Sequence, residues 1–150
     1  MTVNKILGEL DLKLTHYTQA LLKQDELVNQ QEEIIIKKME DSKEIINWYS
    51  KKNFNFTHPT ITEFNTSRGP ILGLNKESNE LIFLHVNRGI IKLNIRTGEE
   101  KDVDARWLVE NGCFNEAISG LDYLHNMLDE YLKSLKKQIG QMEHELEDLQ

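Results

Sequence analysis

The stretch LIFLHVNRGIIKLNI, residues 81–95, decides the fold. Two apolar runs, Leu81 to Val86 and Ile90 to Ile95, are joined near Arg88-Gly89. Short runs of this kind bounded by turn residues mark a β-hairpin. A loop at Arg88-Gly89 sets Val86 opposite Ile91, Leu84 opposite Leu93 and Ile82 opposite Ile95. Directly opposed residues share a face, so six apolar side chains gather on one side of the hairpin. Phe83, His85, Lys92 and Asn94 then form the other, mostly polar side. A preceding turn at Glu77-Ser78-Asn79, with Asn79 tolerating a left-handed backbone, brings Leu74 opposite Ile82 and Leu72 opposite Leu84. A following turn at Thr97-Gly98-Glu99 brings Val103 opposite Leu93. Residues 57–104 are thus expected to form an antiparallel β-meander head, with a further strand around Thr60 to Phe64.

Outside this head the sequence changes period. Between Gly8 and Gly69 there is no glycine, and Pro59 is the only proline. From Val3 to Ser50 the residues Leu7, Leu10, Leu14, Tyr17, Leu21, Val28, Ile35, Ile45 and Tyr49 follow alternating steps of three and four. Gln24, Gln31, Lys38 and Ser42 are polar members of the same seam. Residues three and four apart share one helix face, so residues 1–56 predict one long amphipathic helix, a stalk. At 1.5 Å per residue it would be ~72 Å long, too long to bury in a globule of this size.

Residues 105–150 read as helices again. Asp104 is a candidate N-cap for a short helix from Ala105 to Val109, and Asn111-Gly112 a candidate stop. A second short helix from Phe114 to Ser119 is expected, with Gly120 as a hinge. Leu121, Leu124, Leu128, Tyr131, Leu135, Ile139, Met142, Leu146 and Leu149 then form a second seam. The simplest assembly of these parts is an α+β fold of one domain. In it, a helical hairpin or coiled-coil stalk carries the β head between the inner ends of two antiparallel helices. Because the seams are unequal in length, part of the first stays uncovered. A second copy of the chain is the expected cover, since most soluble assemblies are symmetric homo-oligomers. The expected interface residues are Leu7, Leu10, Leu14, Tyr17, Leu21, Val28 and Ile35 on the first helix. On the last they are Leu128, Leu135, Ile139, Met142 and Leu146.

Composition narrows the function. The chain has 150 residues and a formal net charge of −7, with a single cysteine. Excess acid argues against nucleic acid as a partner, and one cysteine rules out a disulfide framework. No apolar run reaches the ~18 residues of a membrane span. The N-terminus has helical periodicity rather than a signal-peptide pattern. A cytoplasmic protein without membrane contact is expected. The acid is concentrated at the end: residues 105–150 carry 4 basic and 9 acidic groups. That acidic end opposes its own helix dipole. It suggests a solvated face, or a docking end for a basic surface or for basic groups of a second copy.

Catalytic motifs are missing. No nucleophile elbow, dinucleotide fingerprint, P-loop, zinc-protease motif or paired cysteines occur, so neither enzyme chemistry nor a cofactor is expected. Asp122, His125 and Asp129 at i, i+3 and i+7 resemble half of a di-metal carboxylate site, but the second half is lacking, and a surface polar cluster is expected. Cys113, with no histidine near it in sequence, reads as a packing residue. Arg68, Arg88 and Arg96 each stand at or next to a glycine-bearing turn. An anion pocket built from these three with His85 and Lys92 is a candidate ligand site.

The order helix, β-hairpins, helix resembles the architecture of prefoldin subunits, which hold clients between coiled-coil tentacles. The resemblance is one of layout over the whole chain, without a residue motif, and the short helices of 105–119 depart from it. It implies a holdase chaperone as one alternative, and the arginine loops imply a second, a protein that sequesters a nucleotide or another small anion. The reading favoured by the residues themselves is a non-enzymatic, homo-oligomeric interaction protein that binds another protein through its β head. An Asn-, Ile- and Lys-rich composition suits an accessory protein of an AT-rich bacterial or phage genome that modulates a host protein.

Overall fold

The computed structural model describes residues 2–150. It contains a long N-terminal helix, a four-stranded antiparallel meander and C-terminal helices, an α+β fold. Helix α1 runs unbroken through Val3–Lys51. The Thr2 side chain accepts a hydrogen bond from the Lys5 N–H and starts it. The strands are β1 (Ile71–Asn75), β2 (Glu80–His85), β3 (Gly89–Asn94) and β4 (Glu100–Val103), neighbours in sequence order. Three further helices follow: α2 (Ala105–Glu110), α3 (Phe114–Asp122) and, after a short 3-10 turn at Tyr123–His125, α4 (Met127–Asp148). Asp104 caps α2 as expected, its carboxylate accepting from the Trp107 N–H at 2.8 Å.

The strand register differs from the sequence reading at all three turns. In β2–β3, Leu84 pairs with Ile90, Phe83 with Ile91, Ile82 with Lys92 and Leu81 with Leu93. The loop is Val86-Asn87-Arg88, with Gly89 at φ +93 closing it, in place of a two-residue loop at Arg88-Gly89. Leu74 pairs with Leu81 and Gly73 with Ile82, and a bulge follows at Leu72. Asn79 does take the left-handed conformation, at φ 55. On the far side Leu93 pairs with Glu100 rather than Val103, and Val103 pairs with Ile90. The segment 60–64 is not a strand; it belongs to an irregular run closed by one bridge between Phe56 and Thr66.

These shifts put apolar residues on both faces of the sheet. Leu72, Ile82, Leu84 and Ile90 point inward and pack with Ile35, Ile46, Leu108, Ala117 and Leu121 of the helices. Ile71, Leu81, Phe83 and Ile91 lie on the outer face and are buried as well. The irregular segment before β1 covers part of that face through Ile61 and Phe64, which pack on Ile71 and Leu81. Each face therefore contributes burial worth about 1.5–3 kcal/mol per large side chain.

His58 pins this cover to the helices. Its Nδ1 accepts the Thr60 and Ile61 N–H groups, each at 3.1 Å. With Nδ1 accepting, Nε2 carries the proton and donates to the Glu116 carbonyl at 2.7 Å. The ring fits because residue 120 has no side chain. A Cβ on Gly120 would lie 2.1 Å from the Ile71 carbonyl oxygen and 3.0 Å from the His58 ring. Gly120 is thus a contact point inside α3, not the hinge the sequence suggests; the chain breaks later, at Tyr123–Asn126.

The helical hairpin does not form within the chain. Contacts between the N- and C-terminal helices advance in the same direction. Arg106 meets Asp25, Lys38 meets Asp122, and Tyr49 meets Leu124 and Leu128. The series ends with the Tyr131 hydroxyl on the Asn55 carbonyl. An antiparallel hairpin would reverse this order. Helix α1 packs on α2 and α3, whereas α4 has no comparable packing on α1 among the described residues. The N-terminal part of α1 leaves the head at the Asp25 end, and α4 leaves it at the Tyr49 end.

The tight seat of residue 120 predicts that Gly120→Ala destabilises the fold by about 3 kcal/mol, because the new methyl collides with backbone rather than with a side chain that can turn away. Urea unfolding followed by tryptophan fluorescence measures it. A change below about 0.5 kcal/mol would contradict the packing described.

Candidate functional site

The largest unpartnered feature is apolar and helical. Leu7, Leu10, Leu14, Tyr17 and Leu21 form a continuous stripe along the free part of α1, and all are exposed, Tyr17 to 61%. Val28 stands at the edge of the head and Ile35 is fully buried in the core. The α1 seam thus changes function along its length: Ile35, Ser42 and Tyr49 face the head, and the residues before Val28 face solvent. Ile46, rather than Ile45, is the fully buried residue of the last turns.

Helix α4 carries a second stripe. Leu128, Leu132, Leu135, Ile139, Met142 and Leu146 are all exposed, Leu135 to 53% and Met142 to 63%. Leu132 belongs to this stripe and Tyr131 does not. Tyr131 turns toward the head, its ring 5.5 Å from that of Phe54. A helix running unbroken from Leu121 needs Tyr131 to keep phase. Once the break before Met127 resets the phase, the steps become a strict four, three, four, three, four. That regular spacing was the signal available for Leu132.

The arginine loops assemble differently from the anion pocket expected of them. Arg68 and Arg88 do converge, but on Glu100, with the Arg88 guanidinium 3.0 Å from one Glu100 oxygen and 3.4 Å from Asp102. Arg68 also stacks over the Phe83 ring at 4.9 Å. Two cations facing two carboxylates leave no net charge to attract an anion. Arg96 stays apart at the β3–β4 turn, where its backbone N–H bonds to Asn94. Lys92 lies on the inner side of the sheet, 3.1 Å from Glu80 and 5.3 Å from the Trp107 ring. His85 lies on the opposite side, its Nδ1 accepting from the Asn87 N–H. The expected facing of His85 and Lys92 is therefore absent, because the odd register shift sends them to opposite faces.

Remaining candidates resolve into local structure. Asp122 is held by Lys38 at 2.6 Å, and the break at Tyr123–Asn126 removes it and His125 from the helix that carries Asp129. Cys113 is buried, its Sγ near the Asn111 carbonyl and close to the space above Gly73. Burial pushes its thiol up, and the neighbouring Glu116 carboxylate pushes it further in the same direction. A thiolate nucleophile needs the opposite shift. A cleft of about 290 Å³ opens between α1 and the β2–β3 turn, lined by Ile36, Met39, Ile46, Leu84 and Val86 with Lys43 at its edge.

Arg106 marks the place where α1 leaves the head. Its guanidinium reaches Asp25 at 2.8 Å, Asn29 at 2.7 Å, Glu32 at 3.4 Å and Glu110 at 2.8 Å. Asp25, and then Glu110, hold its proton more tightly than usual. Compared with protein-family models, curated proteins and solved structures, the chain matches none of them.

The Arg68 and Arg88 guanidinium groups hold the Glu100 carboxyl down to about 2, from an ordinary value of 4.5. A carboxyl depressed on folding stabilises the fold above its unfolded value and loses that contribution as pH falls through the folded one. Wild-type stability should therefore drop between about pH 4.5 and 2 more steeply than that of Glu100→Gln. Urea midpoints across that range measure the difference, and parallel curves would contradict the assignment.

Proposed function

We propose that this chain is a non-enzymatic interaction protein that assembles with itself through its free helices and presents the β head to another protein. The reading rests on one observation: two long apolar stripes leave the head at opposite ends, and neither covers the other. Exposed apolar surface of this extent and continuity is characteristic of interaction sites rather than of free monomer surface. Neutralised arginines at Glu100 disfavour the anion-sequestering alternative. The divergent helices disfavour a prefoldin-like tentacle built within one chain. The apolar cleft at the β2–β3 turn supplies a landing place on the head for a side chain of the protein partner. Composition and the lone cysteine support an accessory role in the reducing cytoplasm of a bacterium, or of a bacterium carrying a phage, with a host protein as target.

Light scattering over a wide concentration range tests the assembly. The expected result is a stable dimer or larger species. Leu14→Glu and Leu135→Glu should lower the molar mass or weaken association at least ten-fold, with helix content by circular dichroism preserved, since a charge is placed in a desolvated seam. A wild-type monomer at high concentration would overturn the reading.

A further inference from the structure

Resting on that reading of self-assembly, we propose that α4 pairs with α4 of a second copy in antiparallel orientation, each Lys136 facing Glu143 of the other copy. The stripe Leu128, Leu132, Leu135, Ile139, Met142 and Leu146 has the spacing of a coiled-coil seam. Residues flanking such a seam decide orientation, because they meet across the interface. On one flank stand Asp129, Lys136 and Glu143; on the other stand Tyr131, Gln138 and Glu145. Among the described residues neither Lys136 nor Glu143 has an ion-pair partner in its own chain.

In a parallel pair one flank meets the other flank. Tyr131 would then face Lys136 and Gln138 would face Glu143, with no opposite charges in contact. The acidic ends, with Glu143, Glu145, Glu147 and Asp148, would also lie side by side. In an antiparallel pair each flank meets its own kind. With Ile139 layered against Met142 and Leu135 against Leu146 of the other copy, Lys136 faces Glu143 twice by symmetry. The Lys133, Lys136 and Lys137 block of each helix then lies beside the acidic end of the other.

The competing occupant, the α1 stripe of a second copy, offers less. It is flanked by Asn4, Asp11 and Thr18 on one side and by Ile6, Lys13 and Ala20 on the other. One acid and one base on separate flanks give the acidic end of α4 no basic block to meet.

Charge reversal and spin-label distances test the pairing in the full chain. Lys136→Glu and Glu143→Lys should each weaken the dimer roughly ten-fold, since each turns two attractions into two repulsions. The double reversal should return Kd to within about three-fold of wild type. Labels are placed at Glu130→Cys and, separately, at Gln141→Cys, both exposed, with the buried Cys113 retained. An antiparallel pair separates the two Glu130 labels by ~30 Å or more along the helices and leaves the two Gln141 labels close. A parallel pair gives the same short separation at both positions. A wild-type dimer with equal separations, or without rescue by the double reversal, overturns antiparallel pairing and leaves self-assembly standing. A monomeric wild type overturns both.

Discussion

Strand β2 must be dry on both sides, and the rest of the head follows from that. Leu81, Ile82, Phe83 and Leu84 are consecutive, so two point each way, and all four are buried. One side is met by the helices. Among the described residues, no helix residue belongs to the apolar cluster on the other. The chain instead lays irregular backbone across part of it, and irregular backbone has polar groups to satisfy. His58 serves the Thr60 and Ile61 N–H groups, and Gly120 makes room for its ring. At the far edge Arg68 spreads over Phe83 and is balanced by Glu100. Features that look unrelated in sequence, a histidine before a proline, a glycine inside a helix and an acid in a short strand, answer one demand for coverage.

The same demand explains what could be read from the residues and what could not. Element types and most boundaries are legible: a long first helix, a meander, the Asp104 cap and the stop at Asn111-Gly112 all have local causes, whereas the continuity of α1 past Ile34 to Ile36 has none in the sequence. Register is not legible, because alternation carries it only when one face is wet. Phe83 stands as an outlier on an otherwise polar face until that face proves to be covered. Without a polar face a shift of one or three residues goes unpunished at the level of pattern. Loop length then decides, and here Gly89 adopts its positive φ at the end of a three-residue loop. Lys92 and His85 face each other only if the β2–β3 loop is Arg88-Gly89, so the candidate site that needs them together is lost with that register. Arg68 and Arg88 meet at Glu100, which lies twelve residues beyond Arg88 in sequence and carries no local sign of that role.

Helix phase shows a similar division. The 3,4 spacing identified both stripes, since exposure and burial use the same periodicity. Spacing alone does not say which part of a seam faces its own head. In α1 the division falls near Val28, where Arg106 ties Asp25 and Glu32 to α2. In the C-terminal half the division coincides with a break in the helix. Leu121 and Leu124 belong to the core, and Leu128 begins a stripe with a fresh phase. Two surfaces of like chemistry are thereby separated by a core that is already saturated, which leaves each available to a neighbour.

At that break the hydroxyl of Tyr49 donates to the Leu124 carbonyl at 2.7 Å and accepts the Leu128 N–H at 3.1 Å. Asn126, the residue preceding α4, supplies no side-chain cap of its own. One phenol thus closes the end of the incoming turn and opens the outgoing helix, and it is itself rooted in α1. The bearing of the outgoing rod is accordingly set by a pivot that belongs to the opposite end of the chain. The start of that rod is thereby fixed to α1, with the Tyr131 hydroxyl on the Asn55 carbonyl as a second tie, although the two helices do not pack along their length.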